Sequence, residues 1–379
     1  MKRALIITCN DSYDYGTRTK YVEQVLVDQG YFVDHLLSDF DHRSKKRYEA
    51  EHPGTKYYIH VPSYSRNLSL QRIWSHIRFG QQVKRFVLSH GYDLVYHCAP
   101  PNYTIKELSS CKKRKSFKLI TEVGDMWPES IPIRENLKHL LLIPFKVWSN
   151  LRDQNLANSD VVIAECDLFR DTIQKNSGLN KIQTLYFCKE FTGENRTIVY
   201  SSGNEIVLCY LGSINNIIDV DVIGKIIKEL RKSVSVKLHI IGEGENRDHL
   251  IKTAERNGAT VLYHGIIYDD GKKREIFDEC HYALNIMKPE VFVGMTMKSL
   301  DYFSAGIPII NNIGGDVWKM VQQEKVGYNI SSETFDDTVQ MILNCDEECY
   351  RQLQRNVQTA HNDFFSIQHF KEKMGNNVR

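Results

Sequence analysis

The sequence predicts an α/β chain of two doubly wound parallel-sheet domains, and three observations carry that expectation. Short apolar runs alternate with helical patterns, the series of runs occurs twice, and one polar stretch separates the two series.

In the first half the runs are ALIIT (Ala4 to Thr8), DLVYH (Asp93 to His97), KLITEV (Lys118 to Val123) and VVIAE (Val161 to Glu165). Each ends in a polar or glycine-containing loop. Strands that are apolar on both faces suit a parallel sheet covered by helices on either side. The second series is EIVLCYLG (Glu205 to Gly212), KLHIIGEG (Lys237 to Gly244), TVLYHG (Thr260 to Gly265), YALNIM (Tyr282 to Met287) and IPIINN (Ile307 to Asn312). Lys189 to Asn204 is polar and contains Gly193 and Gly203, which fits a hinge. The boundary is therefore expected near Ser201, giving domains 1–200 and 201–355. The tail 356–379 is helical in spacing and breaks at Asn362 and Asp363. That pattern fits an ordinary capping helix or a segment returning to the first domain.

Composition excludes several function classes. Lys and Arg total 49 against 47 for Asp and Glu, and a net charge of +2 gives nucleic acid no broad basic surface. The nine cysteines contain no C-x-x-C pair and no His at zinc spacing, which reads as a reduced, cytoplasmic chain with no metal site. At the amino terminus MKRALIITCND places two basic residues before an apolar run, but the run is too short for a signal peptide and stops at Asn10 and Asp11. No segment reaches membrane-spanning length, so any membrane contact is expected to be peripheral.

The most informative stretch is Gly294 to Asn312, GMTMKSLDYFSAGIPIINN. It sets a carboxylate, Asp301, within a helix that ends at a Gly-x-Pro and opens an apolar strand. Amides at the helix start, near Thr296, suit an anion such as a pyrophosphate, and Asp301 lies deeper on the same helix.

With YLGSI (Tyr210 to Ile214), LHIIGEGENRDHL (Leu238 to Leu250), VLYHGII (Val261 to Ile267) and MKSLDYFSAGIPII (Met297 to Ile310) in this order, the second half resembles the carboxy-terminal domain of family 4 glycosyltransferases of the GT-B fold. In the first half, the loop DSYDYGTRTKYVEQVL and DMWPESI (Asp125 to Ile131) add to the likeness; the latter is similar to the D-L-W-P-E-S of bacterial polysaccharide members. The resemblance implies two Rossmann-like domains facing across a cleft. It implies a nucleotide-sugar donor, with UDP the expected nucleotide, and a saccharide acceptor. It further implies a lipid-linked acceptor in capsule, exopolysaccharide or O-antigen assembly, retention of configuration, and neither cofactor nor metal.

Three departures stand out. The family has two glutamates separated by seven residues; Asp301 matches the second, whereas the first position is Val293. The Arg and Lys that neutralise the donor diphosphate are replaced by Ser213 and by Ile217 or Ile218. The His that precedes the Asp of the first-domain motif is Gly124. Lys298, in the first turn of the helix, is the nearest substitute cation.

For the donor, the resemblance and the helix layout nominate Gly212, Ser213, Gly294, Met295, Thr296, Lys298 and Asp301, with Asp301 on the ribose and Lys298 also a catalytic candidate on the leaving diphosphate. Gly16 and Arg18 follow the first strand and are candidates for phosphate or acceptor. Gly242 and Gly244 admit close backbone approach, and the resemblance implies that Ile266 offers backbone bonds to a base. Asp125, past the end of a strand, is the candidate for orienting or deprotonating the acceptor hydroxyl, with Glu129 the second carboxylate and Trp127 and Pro128 shaping the pocket. Each has a bland alternative: turn glycines, solvated cations, and Asp125 as a helix cap. His97 reads as structural. The strings Asp39-Phe40-Asp41 and Asp219-Val220-Asp221 do not follow strands as a metal-diphosphate site requires.

Two segments suggest a bilayer surface: Leu68 to Val87, which a helix packed on the sheet explains as well, and Leu137 to Val147, aided by the basic string Lys112 to Lys115. That would place the chain at the inner face of the cell membrane. Two rivals remain at this stage, a UDP-sugar 2-epimerase and a non-catalytic partner subunit that keeps the fold.

Overall fold

Seven parallel strands build the first sheet: β1 (Lys2–Thr8), β2 (Tyr31–Ser38), β3 (Lys56–Ile59), β4 (Leu94–Ala99), β5 (Lys118–Val123), β6 (Val161–Ala164) and β7 (Ile182–Thr184), in the order β3-β2-β1-β4-β5-β6-β7. The second sheet has six: β8 (Glu205–Leu211), β9 (Ser235–Ile241), β10 (Thr260–Gly265), β11 (Tyr282–Asn285), β12 (Ile309–Asn311) and β13 (Gly327–Asn329), in the order β10-β9-β8-β11-β12-β13. The computed structural model describes residues 1–10, 17–48, 55–131, 135–193 and 205–379. The chain divides into two units, Met1–Tyr186 with Phe370–Arg379, and Phe187–His369.

Each sheet is doubly wound, with strand order reversing between β1 and β4 and again between β8 and β11. Such reversals leave a crevice at the carboxyl ends of the strands, where open α/β sheets bind ligands. The central strands are apolar on both faces because helices cover both. On β1, Leu5, Ile6 and Ile7 are all fully buried; Leu5 and Ile7 pack with Phe79 and Val83 of the helix Leu70–Ser89. In the second unit the helix Val220–Leu230 buries Ile223, Ile226, Ile227 and Leu230 against β8 and β9. Its N-cap is Asp219, whose side chain accepts from the Val222 amide at 3.0 Å. One half of that D-x-D string is thus a cap. Asp39 of the other string is bonded to Arg47 and His60.

The terminal residues pack in the first unit. Phe370 lies 6.2 Å from the Tyr21 ring, Gln29 Nε2 donates to the Gly375 carbonyl at 2.9 Å, and Lys118 Nζ donates to the Val378 carbonyl at 3.0 Å. The units part at Tyr186/Phe187, earlier than the expected boundary near Ser201, which lies outside the described residues. The reason is local bonding. The Lys189 amide donates to the Phe365 carbonyl at 3.0 Å and the Thr192 amide to the Ser304 carbonyl at 2.7 Å, which ties this stretch to the second unit.

Candidate functional site

At the carboxyl edge of the second sheet, the loops after β8, β9 and β10 are stitched together by backbone bonds. Gly212 N donates to Ile241 O at 2.9 Å, Ile214 N to Glu243 O at 2.9 Å, and Gly242 N to Gly265 O at 2.7 Å. A Cβ on Gly242 would stand 1.9 Å from the Gly212 carbonyl oxygen, and one on Gly244 would stand 2.3 Å from that of Ile214. Loop packing alone therefore demands both glycines. Ser213 is exposed, its carbonyl accepting from the Tyr210 hydroxyl at 3.0 Å, and Ile266 is 56% exposed.

Across the reversal, the helix Met297–Ser304 starts beside β11. Thr296 caps it, its Oγ1 accepting from the Ser299 amide at 3.0 Å and contacting Asn285 Oδ1 at 3.2 Å. Asn285 belongs to a ladder across three strands. Its Nδ2 donates to Asn311 Oδ1 at 2.8 Å, and Asn311 Nδ2 donates to Asn329 Oδ1 at 2.7 Å. The register pairs these residues at the ends of β11, β12 and β13. Gly294 and Met295 are buried, with the Gly294 carbonyl accepting from the Val317 amide at 3.1 Å.

Lys298 is the unusual residue of this helix. It is 8% exposed, and its Nζ has no hydrogen-bond partner among the described residues. The Tyr210 ring centroid lies 5.0 Å away, and burial lowers the amine pKa to about 7. Asp301, one turn on, is paired through Oδ1 with Lys189, which also reaches Asp270 at 3.4 Å. Nothing in the sequence marks Lys189, because it sits 112 positions away in a polar stretch.

In the first unit Asp125 follows β5. Its Oδ1 accepts from Ser130 Oγ at 2.5 Å, and burial raises its pKa despite that bond. Glu129 is committed elsewhere: Arg152, fully buried, donates to both its oxygens at 2.7 and 2.9 Å. Arg18 is also committed, paired with buried Glu122 and donating to the Leu185 carbonyl at 2.7 Å. It is an interior ion pair where the sequence offered a phosphate ligand. Gly16 lies outside the described residues. His97 is fully buried, neither ring nitrogen has a partner among the described residues, and burial lowers its pKa to about 3. Trp127 has neighbours that the sequence did not suggest, Arg72 at 3.9 Å and His76 at 5.7 Å from its ring.

Of the two surface segments, the helix Glu135–Asp153 exposes Leu142, Ile143 and Val147 at 60%, 78% and 58%. In the basic string, Lys112 pairs with Asp160 and Lys115 donates to backbone carbonyls, while Lys113 and Arg114 are exposed. No helix among the described residues is long and apolar enough to cross a membrane. No three His, Cys, Asp or Glu side chains among them gather as metal ligands would.

Residues 205–345 match the family model described as Glycosyl transferases group 1. No curated protein sequence matches the chain. Solved structures share its fold over its whole length. Sucrose-phosphate synthase from Thermosynechococcus elongatus is 14% identical, with a TM-score of 0.71, over 100% of this chain and 98% of that one. The lipopolysaccharide outer core galactosyltransferase WaaB is 16% identical, with a TM-score of 0.68, over 100% and 99%. Anabaena HepE, solved in complex with UDP and glucose, is 13% identical, with a TM-score of 0.64, over 100% and 99%. Two doubly wound units with this topology have the GT-B fold of these structures, and one of the units is matched in sequence to a glycosyltransferase family model. The match to the group 1 glycosyltransferases is confined to the second unit.

Proposed function

We propose that the chain transfers a sugar from a nucleoside diphosphate sugar, with UDP as the nucleotide, to a saccharide acceptor. The donor binds the second unit, at the strand-order reversal beside the helix Met297–Ser304. The acceptor binds the first unit, near Asp125. The observation that carries this reading is Lys298: a buried amine without a partner among the described residues, in the first turn of a helix whose amides favour an anion. The family match over 205–345 and the UDP held by the HepE structure support it.

In this reading the departing diphosphate collects negative charge that Lys298 and the helix amides neutralise, which replaces the cations absent at Ser213 and Ile217. Asp301 accepts from ribose hydroxyls through the oxygen that Lys189 leaves unused. Asp125, its pKa raised by burial, orients the acceptor hydroxyl and takes its proton. Transfer is retaining and needs no metal. The acceptor is a lipid-linked saccharide of a bacterial surface polysaccharide, presented at the inner face of the membrane. Exposed Leu142, Ile143 and Val147 beside Lys146 support the lipid contact.

Calorimetric titration of UDP and a set of UDP-sugars into the parent, Lys298→Ala and Asp301→Ala tests the donor site. Both variants are expected to lose affinity about tenfold or more. If they bind as tightly as the parent, the assignment is wrong. Product analysis with donor alone separates transfer from epimerisation, which would convert the sugar without an acceptor.

A further inference from the structure

The first two turns of the helix Leu70–Ser89 are inside out. Arg72, Ser75 and His76 are buried, whereas Leu70, Ile73 and Trp74 are exposed at 83%, 37% and 51%. That arrangement suits a polar ligand, because a guanidinium keeps its charge at any working pH and is costly to bury without an ion-pair partner.

Arg72 is 4% exposed and has no ion pair among the described residues. Nη1 donates to the Asn67 carbonyl at 3.2 Å and the Tyr64 hydroxyl is a further hydrogen-bond partner of the guanidinium, while Nε has no partner among the described residues. The guanidinium lies 3.9 Å from the Trp127 ring centroid and 5.6 Å from that of Tyr64. His76 is fully buried with neither ring nitrogen bonded among the described residues, and burial, followed by the Arg72 charge, holds it neutral. It can therefore donate from one nitrogen. Asp125 is the carboxylate whose charge Arg72 feels, but it is bonded to Ser130. His42 Nδ1 and the Tyr64 hydroxyl, 3.0 Å apart, border the group, and Lys45 Nζ lies 4.8 Å from the Tyr64 ring. Cys9, just past β1, also feels the guanidinium, which puts the cluster at the carboxyl edge of the first sheet.

We propose that Arg72 and His76, framed by Tyr64 and Trp127, bind a phosphate or carboxylate carried by the acceptor, so that the acceptor is a sugar phosphate or an acidic sugar. A guanidinium whose carbon lies 3.9 Å from an indole centroid can offer nitrogens to two oxygens of one anion, and burial strengthens the contact. A neutral sugar would leave the charge uncompensated and be rejected. The proposal rests on the reading that the first unit takes the acceptor, but its test needs neither donor nor turnover.

The full chain is titrated with glucose 1-phosphate, glucuronate and glucose, with and without saturating UDP. At least one anionic sugar is expected to bind about tenfold more tightly than glucose, in the presence of UDP as in its absence. Which anion binds better identifies the group. Arg72→Gln is expected to abolish the preference and Arg72→Lys to keep part of it. If Arg72→Gln fails to fold, Arg72→Lys and His76→Asn carry the test, each weakening the anionic sugar about threefold or more with glucose unchanged. Equal binding of glucose and both anions, a preference that survives these substitutions, or displacement of the anion by UDP overturns the proposal. Loss of transferase activity with every donor would instead strike the reading above it.

Discussion

Lys189 holds the carboxylate of Asp301 by one oxygen, Oδ1, across 112 positions of sequence. The two side chains are 29% and 20% exposed, so water screens the pair only in part. Burial opposes the Lys189 charge, yet Asp301 and then Asp270 outweigh it and raise the pKa above its ordinary 10.5. A raised lysine pKa means stability that is present below the unfolded value and lost as pH rises through the folded one. Lys189→Met is therefore expected to cost about 1 kcal/mol, constant from pH 6 to 9 and shrinking as pH rises beyond about 10.5. Denaturant titrations across that range check it. UDP affinity should survive Lys189→Met but not Asp301→Ala, since the oxygen assigned to the ribose is not the one Lys189 occupies.

Lys298 has the opposite shift. Between about 7 and 10.5 the folded chain binds fewer protons here than the unfolded one, so stability rises with pH in that window. Lys298→Met is expected to stabilise the ligand-free chain at pH 7 and to gain less at pH 9. A diphosphate would restore the charge, so UDP binding near pH 7 should take up roughly half a proton. Calorimetry in buffers of different ionisation enthalpy measures that uptake; none in the parent, or the same uptake in Lys298→Met, would remove Lys298 from the donor site.

Periodicity found nine of the thirteen strands among the described residues, and the four it missed have physical reasons. β2 carries Asp34 and His35 in its middle; Asp34 is tolerated because Arg3 and the Tyr92 hydroxyl bond it at 2.6 and 2.9 Å. β3, β7 and β13 are short strands at sheet edges whose residues are partly exposed, so they carry no continuous apolar run. The helix carrying Lys298 and Asp301 was legible because its cap, its anion-facing first turn and its Gly-x-Pro stop are local features. The partners of those residues were not. Lys189, and likewise Arg72 beside Trp127, join the sites through tertiary packing that no spacing encodes.

Gly242 and Gly212 separate packing from ligand approach. Gly242→Ala drives a Cβ to 1.9 Å from a backbone oxygen at φ +147°, and about 3 kcal/mol or more should be lost. Gly212 has φ +120°, but a Cβ there would meet no heavy atom within 4 Å. Gly212→Ala is expected to cost about 1–2 kcal/mol, and to weaken UDP binding if the diphosphate passes that backbone. Thermal denaturation with and without UDP distinguishes the two effects.

Asp125 and Glu129 lie four residues apart and should fail differently. Asp125→Asn preserves the shape bonded to Ser130 and removes the proposed base, so kcat should fall about a hundredfold or more with Tm nearly unchanged. The ascending limb of the rate profile should lie above the ordinary aspartate pKa of 3.8, since burial raises it. Glu129→Gln strips one of two charge partners from fully buried Arg152, Asp153 being the other, and a loss of about 1–3 kcal/mol is expected with kcat changed by less than about tenfold. Equal losses of rate in both variants would return Glu129 to the chemistry.

The asparagine ladder ties the stability of the second sheet to the proposed donor site. Asn311 Nδ2 serves both Asn329 Oδ1 and the Ile313 carbonyl, while its Oδ1 accepts from Asn285 and from the Ile313 amide. Asn285 in turn contacts Thr296, the cap of the helix bearing Lys298. Asn311→Leu leaves those groups buried without partners, and each such group costs about 1–3 kcal/mol, with neighbours polarising one another. A total loss of about 2–4 kcal/mol is expected. Because the cap loses its lateral support, UDP affinity should fall as well, by more than in a variant of similar stability placed elsewhere, such as Val83→Ala in the first unit. Equal UDP affinity in the two variants at matched folded fraction would mean that the ladder supports the sheet alone.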